Sequence, residues 1–104
     1  MVTYSVRMSR SATTDLRGIV RYISLQLSSP ATALTMLNSI EAAIAALSSM
    51  PKKHRLVNDD RLSQMGYRTV IVKNYCVFYL VDDTTRVVHV ARIMYARRDW
   101  RSIL

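Results

Sequence analysis

The stretch GYRTVIVKNYCVFYLVDDTTRVVHVARIMY, residues 66–95, decides the fold. It holds three apolar, largely β-branched or aromatic runs: YRTVIVK (67–73), YCVFYLV (75–81) and RVVHVARIMY (86–95). Only Asn74 separates the first two, and only residues 82–85 separate the last two. Connections this short join strands antiparallel. The middle run is apolar on both of its faces, the pattern of a central strand. Cys76 within it reads as a small core residue.

Upstream, VTYSVRM (2–8) alternates cleanly. Val2, Tyr4, Val6 and Met8 face one way and Thr3, Ser5 and Arg7 the other, as in a half-buried strand. SRSATTDLRGIVRYISLQL (9–27) then changes period. Ser9 or Ser11 can cap a helix, and Asp15 in its early turns suits the positive end. Ala12, Leu16, Ile19, Ile23 and Leu27 form one apolar stripe. Gly18 weakens this helix without breaking it. SSPATALTMLNSIEAAIAALSSMP (28–51) is a second helix. Ser29 is placed as its N-cap and Pro30 at the first helical position. Leu34, Leu37, Ile40, Ile44 and Leu47 make its stripe, and Pro51 ends it. With about three residues between them, the two helices should form an antiparallel hairpin. KKHRLVNDDRLSQMG (52–66) has no clear period and reads as a polar loop with at most one short turn.

The expected fold is therefore one α+β domain over residues 1–104, β-α-α-β-β-β, with the helix hairpin on one face of a mainly antiparallel four-stranded sheet. The other face is expected to lie open for a partner. A short helix or irregular tail from Arg97 would return Trp100, Ile103 and Leu104 to the body.

Charge points the same way. The chain carries +8, and the excess is uneven. Residues 52–104 hold eleven basic groups against five acids, a net +6, whereas residues 1–51 carry only +2. A basic half-molecule favours polyanions or an acidic protein partner. The last stretch, RIMYARRDWRSIL (92–104), gathers Arg92, Arg97, Arg98 and Arg101 around Asp99 and Trp100. Arg and Trp dominate binding hot spots. Pairing of Arg92 with Asp82 or Asp83 would quiet part of that charge, and Asp99 would either neutralise Arg98 or cap the tail. A second basic run, Lys52-Lys53-His54-Arg55, is either a solvated loop or a phosphate contact. With a single cysteine and two distant histidines, the expectation is no disulfide, no metal and no cofactor. No apolar run reaches the ~20 residues of a membrane span, and the first ten residues lack the apolar stretch of a signal peptide. A cytoplasmic protein without membrane contact is expected.

Four segments resemble the RelE/ParE superfamily of bacterial type II toxins: YSVRMSRSATTDLRGIVRYI, IEAAIAALSSMP, GYRTVIVKNYCVFYLVDD and VVHVARIMYARRDWRSIL. They occur in the family's order and span nearly the whole chain. The resemblance implies a toxin neutralised by a cognate antitoxin with an acidic C-terminal segment. It also implies one of two activities. RelE-like members cut mRNA on the ribosome without metal, by attack of the ribose 2′-OH. ParE-like members bind and poison DNA gyrase.

The nuclease plan needs a base, cations for the phosphorane and an acid. Arg68 falls at a basic position of the first hairpin strand, and Arg97 or Arg98 at the basic position after the last. Yet Cys76 stands where nucleases place an arginine, and Thr69 or Val70 where they place a lysine. Ile103 and Leu104 stand where they end in Tyr or His. Tyr95 and His89 are the nearby substitutes, and His89 in VVHVA reads as a partly buried strand residue. The chain resembles ParE-like members more closely through GYR and VFY. On that reading Arg92, Arg97, Arg98, Trp100, Arg101, Lys52 and Lys53 are contact residues for target or antitoxin.

Overall fold

The computed structural model describes residues 3–104, so the Val2 position of the first strand lies outside the described residues. Strand β1 (Ser5–Met8) leads into helix α1 (Arg10–Arg21), which continues as a π-helical turn over Tyr22–Gln26. Helix α2 (Pro30–Ala46) follows, then a short helix α3 (Asp60–Gln64) and strands β2 (Arg68–Val72), β3 (Tyr75–Asp82) and β4 (Val87–Tyr95). A 3₁₀ turn at Trp100–Ser102 ends the chain. The sheet order is β1-β4-β3-β2. The β2-β3-β4 meander is antiparallel, as its short turns require, and β1 joins β4 in parallel.

Ser9 fixes the strand-to-helix corner. Its Oγ accepts from the Ala12 N–H at 2.9 Å and donates to the Ala91 carbonyl at 2.7 Å, so one side chain caps α1 and fastens it to β4. Pro30 sits at the start of α2, and Ser29 uses its hydroxyl on Thr32. The hairpin buries Ala12, Leu16, Ile23, Ala33, Met36, Ile40, Ile44 and Leu47 against Val77, Tyr79, Val88, Val90 and Ile93. Leu34 and Leu27, expected in the stripes, are exposed instead. In α2, Ala33 and Met36 take the inward positions in the first turns, in line with Ile40, Ile44 and Leu47 at helical spacing.

The far face of the sheet is not bare. Val57, Leu62, Cys76, Phe78 and Met94 form a second buried cluster, covered by Tyr67, Trp100, Ile103 and Leu104. The segment expected as a polar loop supplies this layer. Asp59 caps α3 by accepting from the Leu62 N–H at 3.0 Å, which turns Leu62 inward. Residues 55–57 run along the edge of β2, with the Val57 N–H on the Tyr67 carbonyl at 3.0 Å. The reason is thermodynamic: Phe78 and Met94 on a central sheet are costly to leave in water, at about 2 kcal/mol each. The open-face expectation is thus corrected. His89, expected to be partly buried, is exposed.

Candidate functional site

The sequence-predicted residues spread along the sheet: Arg68 and Lys52 at one end, Tyr95 and Arg98 at the other, and Trp100 and Arg101 on the far face over Phe78 and beside Asn58. At one end, Arg68 donates through Nη1 to the carbonyls of His54 at 2.6 Å and Lys52 at 3.2 Å. The Tyr79 hydroxyl donates to the Pro51 carbonyl at 2.6 Å. Lys52 forms an ion pair with Asp83, which also accepts from the Tyr4 hydroxyl at 2.7 Å. These bonds strap residues 51–54 to the sheet. The Lys52 hydrogen bond, then that from Tyr4, holds the Asp83 carboxyl below its usual range. Burial, then Lys53, lowers the His54 imidazole, so it is neutral near pH 7. Lys53 itself is exposed.

At the other end, Tyr95 meets Tyr75 edge to face, ring centroids 5.7 Å apart. Arg92 does not reach Asp82 or Asp83. It forms a two-point ion pair with Asp15 of α1. Asp82 instead caps the β3–β4 turn, accepting from the Thr84 and Thr85 N–H groups. Asp99 accepts from the Ser102 hydroxyl rather than pairing with Arg98. Arg101 lies over the Trp100 ring at 4.3 Å, donates to the Asn58 carbonyl at 2.9 Å and approaches Asp59 at 3.6 Å. Arg97 and Arg98 are exposed, and among the described residues neither has an ion-pair or side-chain hydrogen-bond partner.

Two of the four nuclease candidates, Arg68 and Tyr95, stand apart on the sheet. Arg68 pairs with Tyr79 and Tyr95 with Tyr75 across β3. That puts Arg68 and Tyr95 four residues apart along the strands and two strands apart across them, roughly 16 Å. A phosphodiester needs its acid, base and cation within hydrogen-bond reach of one phosphorus. Cys76, where the nuclease pattern has a cation, is buried in the second apolar layer, and burial pushes its thiol up. Among the described residues no metal-binding group of three or more His, Cys, Asp or Glu is found. No described helix is long and apolar enough to cross a membrane.

Sequence reasoning missed a basic stripe on α1. Arg10, Arg17 and Arg21 share one exposed side of the helix, being seven and eleven residues apart. Arg17 and Arg21 rim a cleft of about 650 Å³ between the helices, floored by Leu16, Val20, Leu25 and Leu37. The seven-residue arginine spacing was its available signal.

Comparison with known proteins identifies the fold and the family. The family model described as ParE toxin of type II toxin-antitoxin system, parDE, matches residues 6–100. A comparison with curated protein sequences gave no match. Among solved structures, the chain is similar to one from a chromosomal ParDE toxin–antitoxin system of P. aeruginosa, with TM-score 0.72 at 20% identity over 91% of this chain and 98% of that one. It is also similar to one from the RelBE2 toxin–antitoxin complex of Mycobacterium tuberculosis, with TM-score 0.65 at 20% identity over 90% and 99%. A double arginine-to-alanine mutant of the E. coli toxin RelE in the free state gives TM-score 0.69 at 13% identity over 98% and 93%. At these identities the structural likeness shows a shared fold, while the family match covers nearly the whole sequence. The chain belongs to the ParE toxin family of type II toxin–antitoxin systems.

Proposed function

We propose that this toxin arrests growth by binding DNA gyrase through its C-terminal cationic margin, without nuclease chemistry. The observation that carries the reading is the pair Arg97 and Arg98, exposed and unpaired, far from an Arg68 already committed to backbone carbonyls. Two free guanidinium groups beside a packed Trp100 suit a macromolecular contact. They do not make an acid–base pair.

A cognate antitoxin completes the proposal. The chains it resembles come from ParDE and RelBE2 modules, in which a toxin is paired with an antitoxin. The cleft between α1 and α2, apolar on its floor and rimmed by Arg17 and Arg21, suits an amphipathic helix with acidic flanks. Arg10, on the same side of α1, extends the positive surface, while Glu41 is the one acid lining the cleft.

The test uses purified protein. Added to gyrase and relaxed plasmid, it should block supercoiling and trap cleaved DNA. Added to a translating extract, it should leave messages intact by primer extension. New 5′ ends within the ribosomal A-site codon, with gyrase unaffected, would overturn the proposal in favour of a RelE-like endoribonuclease.

A further inference from the structure

We infer that the cleft beneath the tip of the helix hairpin is a binding site for a small organic anion, one carboxylate or phosphate head on an apolar body. The inference does not rest on the gyrase reading, but it shares Arg98 with it. The cleft has a volume of about 870 Å³, within the range of small-molecule sites. It opens where α1 widens into the π-helical turn, the Leu27 N–H reaching back to the Tyr22 carbonyl at 3.2 Å. Such turns are rare and concentrate at functional sites. Ser28, in the left-handed region at φ 49°, then reverses the chain.

The lining divides by chemistry. Ile19, Ile23, Met36 and Ile93 give an apolar floor. Tyr22, Tyr75 and Tyr95 stand around it, Tyr22 and Tyr95 about half exposed. Among the described residues none of the three hydroxyls has a hydrogen-bond partner, and Tyr75 is held protonated by burial and by the neighbouring phenols Tyr22 and Tyr95. Three tyrosines with uncommitted hydroxyls therefore line the hollow, and Arg98 adds a guanidinium that has no partner among the described residues. Asp15 also lines the cleft, but both its oxygens are taken by Arg92 and one also by the Ile93 N–H. Its charge is neutralised and does not repel an anion. Donors and a cation over an apolar floor complement an anionic head on an apolar body.

A peptide strand fits less well. The Ile93 N–H is bonded to Asp15 and the Ala96 N–H to the Asn74 carbonyl, so these backbone donors are closed to strand addition. The occupant must be held by side chains.

Anilinonaphthalenesulfonate, an aromatic sulfonate, is the probe. The purified full chain should enhance its fluorescence at one saturable site, with competition by decanoate and by phenyl phosphate. Arg98→Gln should weaken binding about tenfold, the loss of one charge-assisted bond. Gly18→Phe provides a second, independent variant. Gly18 lines the cleft, and a Cβ there meets nothing within 4 Å, so the ring can fill the space without displacing the helix. It should abolish binding while far-UV circular dichroism and cooperative unfolding are retained. Probe binding unchanged in both variants would overturn the inference. So would self-association of the native chain through this cleft, or selective capture of an antitoxin peptide there with no competition by either anion.

Discussion

Arg92 and Asp15, 77 residues apart in sequence, meet in a two-point ion pair: Nε to Oδ2 at 2.7 Å and Nη2 to Oδ1 at 2.9 Å. The Ile93 N–H adds a third bond to Oδ2 at 3.0 Å. Beyond Val90, where pairing with β1 ends, β4 has helix α1 along its free edge, and Asp15 satisfies the orphaned backbone donor there. The pair therefore locks helix to sheet. Asp15→Ala should lower unfolding free energy by about 2–4 kcal/mol, because it strands a partly buried guanidinium and a backbone N–H together. Arg92→Lys keeps the charge but loses the fork, and should cost about 1–2 kcal/mol. Urea unfolding checks both: the midpoint should fall with the slope unchanged.

Trp100 should report the docking of the tail. Its ring lies 5.2 Å from that of Phe78 across the second core, with Arg101 stacked on its outer face. Truncating it empties a site against buried Phe78 and Met94, so Trp100→Ala should cost about 2–4 kcal/mol. Arg101→Ala removes only exposed stacking and carbonyl contacts, at about 0.5–1 kcal/mol. As the single tryptophan, its fluorescence follows this contact alone. Fluorescence and far-UV circular dichroism should give coincident denaturation curves; an earlier fluorescence transition would mean that the tail frays independently.

The sequence carried the elements better than their partners. Alternation and short turns were enough to read β2, β3 and β4, and Pro30 marked the start of α2, because these signals are local; Ser9 was one of two cap candidates, and α2 stops at Ala46, before Pro51. The parallel β1–β4 pairing is a long-range relation that no local period encodes. Leu62 and Val57 were hidden among Asn58, Asp59, Asp60 and Arg61, since five helical residues are too few to display a stripe. Arg92 was readable as a cation but not as the partner of Asp15, which lies in another element. Of the candidate site, the sequence showed the cations but not their partners: Arg98 was open to pairing with Asp99, and Arg68, Lys52, Arg92 and Arg101 are engaged by neighbours the sequence does not reveal.

Alkaline pH should expose the role of Tyr79. Its hydroxyl is buried on the Pro51 carbonyl, and burial pushes its ionisation up to about 12. The folded value lies above the unfolded one of about 10, so the bond's contribution is complete below pH ~10. It is lost as pH rises through about 12. Tyr79→Phe should cost about 1–3 kcal/mol near pH 7, leaving the Pro51 carbonyl unsatisfied. It should also flatten the fall in stability between pH ~10 and ~12. Stability curves for both proteins across that interval provide the check; parallel curves would remove Tyr79 as the titrating group.

Arg97 and Arg68 should separate contact from scaffold. Arg97→Ala with Arg98→Ala removes two exposed, unpaired side chains, so stability should change by no more than about 0.5 kcal/mol. Gyrase inhibition should nevertheless fall by about tenfold or more, and the residual inhibition should depend less on salt. Arg68→Ala should do the reverse. It frees the carbonyls of Lys52 and His54 and should cost about 1–3 kcal/mol, yet inhibition measured where the variant is still folded should match the native protein. A nuclease built on Arg68 would lose activity in both variants. The crossed pattern, stability moving with one substitution and inhibition with the other, distinguishes the gyrase reading from its rival in a single set of measurements.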